Sequence, residues 1–140
     1  MTEATIEAAC AHVLVELVRT LDGPDRAAAL AFFTDDAAWC RNGAWSHGQD
    51  EIRAALSVPR AHTAQRHLLA NVLIRTQSVD LASGEADFTL YRGTAGKPGL
   101  ITEMAGIGGF TVHFRREAAG WRVAVLEGRP VLVFPREKVF

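Results

Sequence analysis

Apolar residues recur at three- and four-residue intervals from the start of the chain. Ile6, Ala9, Val13, Leu14, Leu17, Val18 and Leu21 share one face if residues 2–21 are wound as a helix. Gly23 and Pro24 end that pattern, and Pro24 suits the first turn of a second helix predicted to reach about Phe33. Residues 34–41 read as a turn and a short strand. Gly48-Gln-Asp-Glu opens a third helix, its acids placed against the macrodipole in the first turn and its end set by Pro59. After Ala64 the pattern changes to four β-rich runs, residues 64–76, 85–92, 101–116 and 121–133. The segments between them, SVDLASG, GTAGKPG and EAAG, supply turn residues. Helices followed by a meander of long strands predict an α+β fold, with helices covering one face of an antiparallel sheet.

Within the first long run, RHLLANVLI places His67, Leu69, Asn71 and Leu73 on one side of an extended chain and Leu68, Ala70, Val72 and Ile74 on the other. Both sides are largely apolar, which predicts a strand covered on both faces. A buried imidazole there needs hydrogen-bond partners, since going without costs roughly 1–3 kcal/mol. His67 is therefore either a satisfied core residue or a chemical group in a pocket, and a partner carboxylate would separate the two readings.

Composition narrows the field. At 140 residues the chain is expected to form one domain, 1–140. A formal charge of -1 and scattered arginines exclude the basic footprint of a nucleic-acid binder. The N-terminus MTEATIEAAC lacks the basic start of a secretory signal, and no apolar run reaches bilayer length, so no membrane partner is expected and a cytoplasmic location is. Cys10 and Cys40 lack metal or redox spacing and are expected as buried free thiols. Neither AGIGGFT nor GTAGKPG meets the requirements of a phosphate-binding loop. The five histidines, His12, His47, His62, His67 and His113, show no paired ligand spacing. Neither metal nor cofactor is expected. Without a nucleophile elbow, what remains is acid and base chemistry by isolated groups in a pocket.

The ordered set LDGPDRAAALAFFTDDAAW, Gly48-Gln-Asp-Glu-Ile52, RHLLANVLI, DFTLYRG and GWRV resembles the SnoaL-like branch of the nuclear transport factor 2-like superfamily. That resemblance covers nearly the whole chain. It implies a cone-shaped α+β fold in which three N-terminal helices pack in a curved antiparallel sheet around an apolar pocket, and a homodimer formed through the outer face of the sheet. Scytalone-dehydratase-like members carry a pocket aspartate at the end of the first helix, matched by Asp22, and a histidine early in the first long strand, matched by His67. In those members the two form a hydrogen-bonded pair that handles a proton. The sequence departs from them at Leu21, where they have an aromatic residue, in having no second histidine after Tyr91, and at Gly108 and Phe110, where they have Ser and Asn.

The resemblance thus implies a lyase or isomerase acting on a small apolar or aromatic, carbonyl-bearing ligand, with Asp22 and His67 as the acid/base pair. Asn71 and Tyr91 are the expected donors to a developing enolate oxygen. Trp39, Phe110 and Phe114 are the expected apolar walls. His113, alternating with Phe114, is assigned to the outer face. RHLLANV, DFTLYRG and GWRV also resemble the small β subunits of ring-hydroxylating dioxygenases, which makes a noncatalytic ligand-binding or structural subunit-like domain the alternative.

Overall fold

The first helix, α1 (Glu3–Asp22), starts where Thr2 accepts the Thr5 N–H on its hydroxyl at 3.1 Å, satisfying one of the donors a helix start leaves unpaired. Its buried stripe is Ile6, Cys10, Leu14, Leu17, Val18 and Leu21, with Cys10 in place of the predicted Ala9 and Val13 only partly buried. These coordinates are a computed structural model and describe residues 1–60 and 64–135. The expected second helix is instead a 3₁₀ helix, Arg26–Phe32. Pro24 on one side and the strand that begins at Phe33 on the other leave only a short connector, the setting in which this tighter winding is common.

Strand β1 (Phe33–Arg41) turns through Asn42 and Gly43 into β2 (Ala44–His47). Both turn residues have positive φ, 48° and 82°, the left-handed backbone that a two-residue hairpin demands and that Asn-Gly tolerates. Strand β2 is absent from the sequence reading, although that dipeptide is its signal. Helix α2 (Gly48–Leu56) follows as expected, and Glu51 in its first turn accepts the His47 N–H at 2.9 Å.

Strands β3 (Ala64–Thr76), β4 (Leu81–Gly93), β5 (Ile101–Glu117) and β6 (Gly120–Leu132) are the four predicted runs, β4 starting earlier than expected. The six strands form one sheet in the order β2-β1-β6-β5-β4-β3, antiparallel except where β1 runs parallel to β6. Its inner face presents Phe33, Ala82, Ala86, Val112, Phe114, Val123 and Leu126 to α1, and these side chains make the core. Cys10 and Cys40 are buried free thiols, and burial pushes the Cys10 thiol up to about 12.

Two expectations about β3 fail for one reason each. Its outer face is not covered by any described element: Leu68 is 54% exposed. The alternation also reverses partway. Ala70 pairs with Asp87 and Leu73 with Glu85, so β3 carries one residue more than β4 between these pairs, and Asn71 at the bulge has φ 51°. Leu73 therefore turns outward at 49% exposure while Ile74 is buried at 7%. A one-residue bulge exchanges the faces of every position beyond it.

Candidate functional site

The end of α1 and the start of β3 meet through Asp22. One carboxylate oxygen, Oδ1, accepts from His67 Nδ1 at 2.7 Å and from Gln65 Nε2 at 3.0 Å; the other, Oδ2, accepts the backbone N–H of His67 at 2.6 Å. The Asp22 side chain is only 4% exposed and that of His67 14%. Burial pulls the Asp22 carboxyl upward. The His67 ring bond, its charge, its backbone N–H and the Gln65 amide together outweigh that, and hold the carboxyl below its ordinary value. An ionised carboxylate can only accept, so His67 carries a hydrogen on Nδ1, and in the neutral ring the lone pair is then on Nε2. Arg60 secures the helix end by donating to the carbonyls of Asp22 at 3.1 Å, Leu21 at 3.2 Å and Gly23. A cation there also complements the negative end of the helix.

His67 stands on the wall of a cavity of about 840 Å³, within the range of small-molecule sites. Its ring meets Phe88 edge-on at 4.9 Å and Phe110 at 6.0 Å, and the two phenylalanines lie 4.5 Å apart. Gly108 makes room for this cluster, because a Cβ there would come within 2.1 Å of the Phe88 ring. Gly108 and Phe110 thus line the cavity beside Phe88 with an apolar wall.

The structure brings together Asp22, His67, Trp39 and Phe110, the last three lining the cavity. It separates the other three candidates from it. Asn71 lies at the bulge and donates to Asp87 at 2.8 Å on the exposed surface. Tyr91 is opposite Arg66 and Met104 in the sheet, while its neighbours Leu90 and Arg92 face the cavity, which puts Tyr91 on the outer side. Phe114 is fully buried in the core under α1 and lines no part of the cavity. His113 is exposed on the outer face, as assigned.

Several lining residues were missed. Gln65 was legible, since it sits two residues before His67 and so on the same strand face. Arg26, Arg41, Arg60, Arg92 and Arg129 also line the cavity. They come from five separate segments, and no local pattern announces their convergence. Among the described residues no three His, Cys, Asp or Glu side chains converge as metal ligands, and His62 lies outside those residues.

Residues 2–127 match the family described as the SnoaL-like domain. No curated protein sequence matches the chain. Among solved structures, the fold is similar to that of a candidate scytalone dehydratase from Novosphingobium aromaticivorans, with TM-score 0.78, 15% identity, and 97% of this chain and 91% of that one covered. It is also similar to a type 2 hexachlorocyclohexane dehydrochlorinase, LinA, with TM-score 0.77, 14% identity, and 97% and 92% covered. An NTF2-like protein with a cystatin-like fold from Novosphingobium aromaticivorans matches with TM-score 0.70 at 20% identity, covering 86% of this chain and 79% of that one. At these identities the likeness establishes the fold.

Proposed function

The chain belongs to the family of SnoaL-like domains, and from that premise we propose that it is a lyase or isomerase that removes a proton beside a carbonyl of a small apolar or aromatic ligand. The observation that carries the reading is the 2.7 Å hydrogen bond between Asp22 and His67 on a cavity wall. Asp22 holds the imidazole in one tautomer and stabilises the imidazolium that forms when Nε2 takes the proton. The ion pair then returns that proton to another ligand atom in an isomerisation, or to a leaving group in an elimination. Phe88 and Phe110 pack against the ring and lower the polarity on that side, which strengthens the charge interaction with Asp22. Asn71 and Tyr91 have no part in this scheme.

A thermal-shift screen of cyclic ketones and aryl carbonyl compounds, with mass spectrometry of each hit after incubation, tests the reading. A product formed by the native chain and lost by about two to four orders of magnitude in His67→Gln, with the fold retained, supports it. Stabilising ligands that are returned unchanged by both chains would make this a noncatalytic binding domain. The proposal includes a homodimer through the outer sheet face, where Leu68 and Met104 are exposed in the single chain. Light scattering that gives the mass of one chain would remove that part.

A further inference from the structure

The lining of the cavity has a charge imbalance that proton transfer does not explain. The chain carries 16 acidic and 15 basic residues. Yet five arginines reach the cavity lining and, among the described residues, no Asp or Glu does. Three of the five are committed elsewhere. Arg92 approaches Glu103 at 3.5 Å, Arg129 donates to the Thr111 hydroxyl at 2.7 Å, and Arg60 is spent on the carbonyls at the end of α1.

Arg26 and Arg41 are different. Arg26 donates one Nη to the Val58 carbonyl at 2.9 Å, and its Nε is buried with no hydrogen-bond partner. Arg41 lies over the Trp39 ring with its guanidinium carbon 4.5 Å from the ring centroid. Neither has a carboxylate partner among the described residues. Burial, and then the like charges of Arg60 and Arg41, push the Arg26 guanidinium downward, so Arg26 stands in the field of the other two. Guanidiniums gathered without counter-charge, at the wall of a cavity, leave donors and charge that an anion would satisfy.

We propose that Arg26 and Arg41 form an anion subsite, so that the ligand of this cavity has an apolar, ring-sized body toward Phe88 and Phe110 and a carboxylate or phosphate group held at the arginines. The inference rests on the reading of this cavity as the ligand site and adds the substrate's charge class to it. Arg60 supplies field from behind while its hydrogen bonds keep the end of α1, and hence Asp22, in place.

The test uses naphthoate, naphthyl phosphate and methyl naphthoate as probes, with binding read by calorimetry or by quenching of tryptophan fluorescence. At low salt, naphthoate or naphthyl phosphate should bind about tenfold or more tighter than the neutral ester, and added salt should reduce the difference. The tighter of the two anions identifies the head group. Arg41→Gln, at the exposed rim, should bring the affinity for the anions down to about that for the ester, and Arg26→Gln should do the same if thermal unfolding shows it folded. Equal affinity for ester and anions overturns the proposal, as does an anion preference that survives Arg41→Gln or failure of all three probes to bind at millimolar concentration. His67→Gln separates this inference from the catalytic reading. An anion preference kept in that variant, in a protein that never forms product, would sink the chemistry and leave the subsite standing.

Discussion

Replacing Asp22 with Asn tests the centre of the site with almost no change of shape. The carboxylate accepts three hydrogen bonds, from His67 Nδ1, the His67 backbone and Gln65, at 4% exposure. An amide offers one oxygen. Turned toward the His67 backbone N–H, it leaves the NH₂ facing His67 Nδ1 and Gln65, which accept only through the other imidazole tautomer and a turned Gln65 amide; turned the other way, it leaves the backbone donor unpaired, at about 1–3 kcal/mol. In either arrangement the bonds lose their charge assistance, so we expect a total of about 2–4 kcal/mol. At roughly 3–4 °C per kcal/mol for a domain of this length, Tm should fall by about 6–16 °C. The pH dependence has a definite sign. The Asp22 carboxyl is held below its ordinary value in the folded chain, so its stabilisation is complete above the unfolded value of about 3.9 and is lost as pH falls through the lowered folded value. Asn does not titrate there. Urea unfolding of both chains from neutral pH into acid should therefore show a full gap at pH 7 that closes at the acid end. A variant as stable as the native chain at neutral pH, or a gap that stays constant into acid, would refute the account of this carboxylate.

Other consequences follow from the same contacts. Gly108→Ala drives a methyl to within 2.1 Å of the Phe88 ring, so we expect a loss of about 1–3 kcal/mol in chemical denaturation, and weaker ligand binding because Phe88 packs on His67. Leucine in place of Phe88 should relieve that clash in the double variant, and additive losses would argue against direct contact. The Cys10 thiol, fully buried and pushed up to about 12, should resist a thiol reagent at pH 8 until the chain unfolds, and prompt labelling by mass spectrometry would contradict its burial. Asn71→Gly should be tolerated or mildly stabilising in thermal unfolding, because the bulge needs a positive φ that glycine adopts freely; a loss above about 1 kcal/mol would mean the Asp87 bond matters more than the backbone.

The elements were legible wherever the hydrophobic period was long. Helix α1 and strands β3 to β6 declare themselves over a dozen or more residues each, and the Asn-Gly pair marks the β1–β2 hairpin. The 3₁₀ winding of Arg26–Phe32 was not, because it depends on how little room the neighbouring elements leave. Asp22 and His67 were paired through family likeness, and Gln65 follows from the two-residue period. Tyr91 was given to the site with no period to orient it, and Asn71 was misplaced by that same two-residue period. It holds only while the pairing is regular, and sequence alone does not reveal that β3 bulges at Asn71 or which face of β4 carries Tyr91.

By itself, then, the sequence determined the class of fold and the order of its long elements, because these depend on local periodicity, while Asp22 and His67 came from likeness to a family. Tertiary structure alone decided the company those residues keep. It set Phe88 against His67 through the space at Gly108, sent Phe114 into the core rather than the cavity, and drew arginines from five segments onto one cavity with no acid among its described lining residues. Charge and packing of that kind depend on distance in space. Residues as far apart in the chain as Arg26 and Arg129 acquire a common environment only when the sheet curves around them.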